Sequence, residues 1–298
     1  MDKKELERLH NKGMDALEDG NWLRAVQYFK RCLDIDPKYL PAMDELADIY
    51  YQNGQYDAAL EILKEAIILD PEDFDTNFAL GNVYLAQEKY TDALRVFKRI
   101  DLSSNDFVPE LHYSIGVCYK NLGFADQALE YFEAALEEDP SYFECLEMIG
   151  KLKLDAGKLD EAVKAFTEAL EADPANIGLH NLLGVAYSKQ SLWNKAIEEW
   201  ETVLKLSPDT DEALRELGWA QNMVGDFEKA VDFLKRALEK NPHNLQARID
   251  LGAVFMTNSK FEEAITELEL AKTDDPANPL IKKFLTDAQT MKEKKGND

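Results

Sequence analysis

The sequence predicts an all-α array of about 17 antiparallel helices, and three observations carry that prediction: evenly spaced prolines, two columns of small residues, and a helical apolar period in each unit. Proline recurs at Pro37, Pro71, Pro140, Pro174, Pro208, Pro242 and Pro276, at intervals of 34 residues apart from one of 69. A fixed period in the range of roughly 20 to 50 residues marks a stacked repeat. With proline set at position 32, units begin at Leu6, Leu40, Phe74, Pro109, Phe143, Ile177, Asp211 and Leu245. Eight repeats then span 6–39, 40–73, 74–108, 109–142, 143–176, 177–210, 211–244 and 245–278.

The first helix of each unit follows from positions 4, 7 and 11, which are Met43, Leu46 and Tyr50 in the second repeat and sit at i, i+3, i+7. Glycine at position 15 in five repeats (Gly20, Gly54, Gly123, Gly157, Gly225) suits the left-handed residue that closes a helix. Position 18 supplies capping types to start the second helix: Asp57, Thr91, Asp126, Asp160 and Asn194. Positions 20, 24 and 27 (Ala59, Leu63, Ala66) then repeat the apolar spacing. Position 8 is Gly13, Ala47, Gly81, Gly116, Gly150, Gly184, Gly218 and Gly252, and position 20 is alanine from Ala25 to Ala264. Helices approach closely only where side chains are small, so these two columns predict where the pair crosses.

After the last repeat, residues 279 to about 294 place Leu280, Phe284, Leu285 and Ala288 on one side, the pattern of a helix that covers the apolar end of a stack. The tail at 295–298 has nothing to bury and is expected to fray. Position 11 is polar at Lys153 and Gln221, which predicts looser packing there. The third repeat ends from Asp101 to Pro109 without the usual proline and one residue longer, with Ile100 at position 27. A local change of superhelical angle and a harmless loop insertion are the two readings.

The recurring glycine, alanine, aromatic and proline columns resemble the tetratricopeptide repeat family over residues 6 to 278. The resemblance implies a right-handed α-α superhelix with a concave groove lined by the first helices. Members of the family that are enzymes fuse the repeats to a separate catalytic domain, and no such domain remains here once the repeats are subtracted.

Composition and motifs set the chemistry aside. The formal net charge is −24, from 58 acids against 34 bases, with no basic stripe, which opposes nucleic-acid binding. The amino-terminal residues lack a secretory apolar core and no stretch is long and apolar enough for membrane insertion, so a cytoplasmic protein is expected. Cys32, Cys118 and Cys145 have no paired spacing and read as small core residues. Nucleotide, zinc-protease and esterase signatures are absent, and no metal or cofactor is expected. His112 and His180 both fall at position 4, a packing position, and read as structural histidines. The chain is therefore expected not to be an enzyme.

In the family, ligands lie along first-helix positions 2, 5, 6, 9, 12 and 13. A clamp for acidic chaperone carboxyl-terminal tails needs lysine, asparagine and arginine there, whereas the matching residues from the first repeat are His10, Met14, Glu45, Asp75 and Ala79. Such a tail is thereby excluded as the partner. Position 2 is acidic in five repeats (Glu7, Asp75, Glu110, Glu144, Glu212), which the helix macrodipole explains first and an acidic rim for basic ligands second. Columns 5, 9 and 12 offer the binding residues Phe78, Asn82, Tyr113, Asn181, Arg215, Trp219, Ile249 and Met256, aromatic anchors with amides able to bond an extended backbone. The expectation is a scaffold or adaptor that holds a peptide segment of a partner protein, basic and apolar in character. A homo-oligomeric assembly module that uses its convex face or ends is the alternative.

Overall fold

The structure, a computed structural model, describes residues 3–100 and 108–295, and among these it contains 17 helices and no strand. In chain order they are α1 (Lys3–Glu18), α2 (Trp22–Ile35), α3 (Leu40–Gln52), α4 (Tyr56–Leu69), α5 (Phe74–Ala86), α6 (Tyr90–Phe97), α7 (Val108–Asn121), α8 (Ala125–Glu138) and α9 (Phe143–Asp155). They continue as α10 (Leu159–Ala169), α11 (Ile177–Lys189), α12 (Trp193–Leu206), α13 (Asp211–Met223), α14 (Phe227–Lys240), α15 (Leu245–Thr257), α16 (Phe261–Asp274) and α17 (Pro279–Lys295). The chain divides into two compact units, Met1–Cys145 and Leu146–Asp298. The segment that closes the third repeat, read either as a change of superhelical angle or as a harmless loop insertion, lies outside the described residues over 101–107.

A single backbone device turns the chain inside all eight repeats. Position 15 is left-handed throughout: the five expected glycines take φ of 70° to 87°, and Glu88, Ser191 and Ser259 take 58°, 60° and 58°. The next amide, at position 16, bonds back to the carbonyl at position 11, as in Asn21 to Ala16 at 2.8 Å, Lys89 to Tyr84 at 2.8 Å and Leu192 to Tyr187 at 2.9 Å. This six-residue closure satisfies carbonyls that the end of a helix would otherwise leave unpaired. A side chain in the left-handed region costs roughly 1 to 2 kcal/mol. Ser191→Gly is therefore expected to stabilise the protein by about 1 kcal/mol in urea unfolding.

The second helix begins at position 17, so Asp57, Asp126 and Asp160 sit inside its first turn and do not cap it. There they favour the positive end of the helix, and two also tie neighbouring repeats together: Gln87 donates to Asp57 at 2.8 Å and Gln190 to Asp160 at 2.7 Å. Side-chain caps come from Asn21 and Asp226 at position 16 and from Asp73, Asn176 and Asn244 ahead of first helices.

The two helices of a repeat cross where position 8 faces the side chain of position 24, and at Gly218 a Cβ would also lie 3.1 Å from the backbone oxygen of Ala230 at position 20. A Cβ built on Gly13 would lie 2.5 Å from the Phe29 ring, on Gly81 2.1 Å from Phe97 and on Gly184 2.5 Å from Trp200. Position 24 is fully buried throughout, with Phe29, Phe97, Phe132, Phe166, Trp200, Leu63, Leu234 and Leu268 filling the space that glycine leaves. The alanines of position 20 are fully buried as well.

The closing helix α17 buries Ile281, Leu285 and Ala288 against the last repeat. Leu280, expected on that face, is exposed, because one residue of register moves a helical side chain by about 100°. Glu293 and the two lysines after it remain helical. Of the two polar residues at position 11, Gln221 is buried and Lys153 reaches Glu161 at 2.8 Å. Cys32, Cys118 and Cys145 are buried free thiols, and burial raises the last two to about 12, which keeps them protonated and unreactive.

Candidate functional site

Polar residues at position 4 serve as staples between repeats. His180 contacts the Pro174 carbonyl at 3.1 Å and Glu199 at 2.6 Å, and Arg248 makes the equivalent contacts to Pro242 at 2.8 Å and Glu267 at 3.3 Å. Asn77 donates to the Pro71 carbonyl at 3.0 Å. The structural reading of His180 therefore has a specific basis: it holds the carbonyl of the proline that ends the preceding repeat. His112 is half-buried against Tyr131, and burial lowers its pKa. Among the described residues no group of histidine, cysteine and carboxylate side chains could hold a metal ion, and no helix is long and apolar enough to cross a membrane.

Among the described residues the first helices line an open cleft in each unit. The cleft of unit 1 lies between α3 and α5 and encloses about 360 Å³. Ala47, Leu63, Phe78 and Val83 form its apolar wall, and Phe78 stacks on Phe74 at 5.7 Å. Asp44, Asp48 and Asp75 stand at its edge beside Tyr51 and Asn82. Asp44 is half-buried, and its carboxyl is pushed up to about 6, first by burial and then by the charge of Asp73, with Asp75 and Glu45 adding to it. The bond from the Thr76 hydroxyl at 3.3 Å works the other way. On the adjoining α1, His10 faces Glu45.

That shift has a consequence for stability. A carboxyl whose folded-state pKa lies above its ordinary value near 3.8 contributes stability below that value and loses it as pH rises through about 6. Discounted for water screening at a partly exposed group, the loss is about 1 kcal/mol. Asp44→Asn keeps an acceptor for Thr76 and is expected to raise stability by about 1 kcal/mol at neutral pH. The gain should vanish in urea titrations run below pH 4.

The cleft of unit 2 encloses about 390 Å³ between α13, α15 and α17, with Trp219, Trp193 and Phe284 on its walls. Arg215 lies at its centre, bonded to Asp250 at 2.9 Å and also to Glu216, while Gln246 donates to Asp250 at 2.7 Å. Burial raises the pKa of both Glu216 and Asp250, and Arg215 opposes it.

These positions sort the residues expected from the columns. Phe78 and Asn82 share the first cleft, and Arg215, Trp219 and Ile249 share the second. Ile249 is only 3% exposed and packs with Leu268 and Leu285, so it forms part of the wall and offers no anchor. Met256 is half-buried against the same core. Tyr113 lies between Phe132 and Tyr142, at ring distances of 5.7 and 5.3 Å, and all three aromatic residues expected to be exposed, Phe78, Tyr113 and Trp219, are half-buried. Asn181 is half-buried on α11 and lines neither cleft. Sequence reasoning passed over Asp44 and Asp250, whose significance lies in what surrounds them and not in their residue type.

Family models described as tetratricopeptide repeat match residues 16–67 and 223–288, 181–244, 109–142 and 78–106, and one described as TPR repeat matches 47–88 and 150–191. No curated protein sequence matches the chain. Among solved structures, a chain in the APC/C hetero-tetramer Cut9–Hcn1 is similar over 89% of this chain, at 19% identity and a TM-score of 0.58. This chain spans 52% of that one. The carboxyl-terminal part of a TPR repeat-containing protein from Cytophaga hutchinsonii is similar over 81% of this chain and 99% of its own, at 16% identity and a TM-score of 0.67. A MamA protein matches 58% of this chain and 94% of its own, at 20% identity and a TM-score of 0.54. At such identities the likeness is one of fold.

Proposed function

Since the chain belongs to the tetratricopeptide repeat family, we propose that it is a non-enzymatic scaffold that holds a segment of a partner protein against the exposed faces of its first helices. The observation that carries this reading is the pair of clefts, each with an aromatic wall beside polar groups: Phe78 with Asn82 in one unit, and Trp219 with Arg215 in the other. A concave apolar surface with a few oriented polar groups is the usual form of a binding site, and aromatic and arginine residues carry most of the energy at such surfaces. The Cut9–Hcn1 hetero-tetramer, one chain of which is similar in fold, is an assembly between different proteins. The partner is a protein segment with basic and apolar residues, in keeping with the net charge of −24.

The test is the affinity for a partner recovered by cross-linking, measured by calorimetry for the parent chain, Phe78→Ala and Trp219→Ala. Removing a central aromatic anchor is expected to weaken binding by at least roughly tenfold, about 1.4 kcal/mol or more. Melting curves for each variant separate lost contact from lost fold. Unchanged affinity in both variants would remove the first-helix faces from the binding surface.

A further inference from the structure

The two clefts differ in how their carboxylates are neutralised. In unit 2, position 5 of the seventh repeat is Arg215, which lies between Glu216 and Asp250 and supplies a cation from within the chain. In unit 1, position 5 of the second repeat is Asp44, and no cation is built in. Asp44 accepts from Thr76 and Asp48 from Gln52, both neutral donors. Lys64, the one lysine of this repeat against nine acids, stands exposed on α4, and among the described residues no ion pair includes Asp44, Asp48 or Asp75. Beside these carboxylates lie an apolar wall and the ring of Phe78. Low-dielectric walls focus the field of such charges into the opening. An arginine or lysine side chain suits both parts, since its methylene stem buries against apolar surface while its head keeps polar company and can lie over an aromatic ring.

We propose that the α3–α5 cleft receives an arginine or lysine side chain from the partner segment, its stem against Phe78 and its charge among Asp44, Asp48 and Asp75. The inference rests on the peptide-binding reading above and names the side chain that unit 1 selects. The partner supplies here the cation that Arg215 supplies in unit 2.

The experiment uses the full chain at about 0.15 M salt, where charges farther apart than roughly 8 Å are largely screened. The probe is a short amidated peptide of alternating leucine and arginine, and its counterpart with citrulline in place of arginine is the neutral control. Binding is read from the shift of the Asn82 side-chain amide and from calorimetry. The arginine peptide should shift Asn82 and bind about tenfold more tightly than the citrulline peptide. Asp44→Asn with Asp75→Asn should abolish that preference, whereas Glu61→Gln with Glu65→Gln, which removes the same charge from the exposed face of α4, should preserve it. Equal losses in the two double variants would show that only the long-range field acts, and would overturn the proposal. A recovered partner that depends on Phe78 but binds Asp44→Asn unchanged would also overturn it, while leaving the peptide-binding reading intact. So would self-association of the chain that is lost in Asp44→Asn, because the occupant would then be a second copy. Asp44→Asn is expected to be more stable than the parent at neutral pH, so unfolding does not confuse the readout.

Discussion

Arg215→Ala should destabilise α13 and α15 by about 3 kcal/mol at neutral pH, the size of loss seen when one partner of a buried ion pair is removed. The side chain of Asp250 is only 9% exposed, and without Arg215 it keeps a bond from Gln246 but no cation. Glu216 loses the same partner. Burial raises the pKa of both acids, so the variant relieves its strain by protonation. Its deficit should therefore shrink as pH falls toward 5 and grow again as pH rises, the direction required of groups whose folded pKa is raised. Amide exchange of α13 and α15 measures the effect locally, which suits a repeat array whose parts open separately. Arg215→Lys keeps the charge and should lose less. A deficit that does not change with pH would show that lost packing, not the stranded acids, is responsible.

The second large effect concerns the crossing of α11 and α12. Gly184→Ala places a methyl 2.5 Å from the Trp200 indole, nearer than packed side chains allow, and is expected to cost about 1 to 3 kcal/mol. The second repeat holds the resolved form of the same contact, with Ala47 at position 8 and Leu63 at position 24, both buried. Adding Trp200→Leu to Gly184→Ala should therefore recover much of what the first change lost. Trp200→Leu alone should destabilise by leaving a cavity. The double-mutant cycle is expected to show a favourable coupling of about 1 kcal/mol or more in urea unfolding. Simple additivity would mean that positions 8 and 24 do not meet as described.

The sequence by itself determined the number of helices and the left-handed turn after the first helix in the five repeats that carry glycine there. Those features are local: 3.6-residue periodicity, a glycine that tolerates positive φ, and a proline near the end of seven of the eight units act over a few residues and recur. Even there, Glu88, Ser191 and Ser259 adopt the left-handed turn without glycine, and the same six-residue closure spans each of them. The membership of the clefts was partly legible, since Phe78, Asn82, Arg215 and Trp219 stand in columns that face outward from a first helix.

Only the tertiary structure decided the rest. A column of residue types does not tell that position 8 meets position 24, that His180 holds Pro174, or that Arg215 pairs with Asp250 from 35 residues away. Such contacts depend on how each helix is rotated against its neighbours, within a repeat and between repeats, which sets whether a first-helix residue meets another helix or solvent. That packing buried Ile249 and drew Tyr113 between two rings of its own repeat, while leaving Asp44 in a cleft with no cation lining it among the described residues. The physical reason is that burial and charge compensation are sums over neighbours. The sequence names the residues, and only the packed repeats bring the neighbours together.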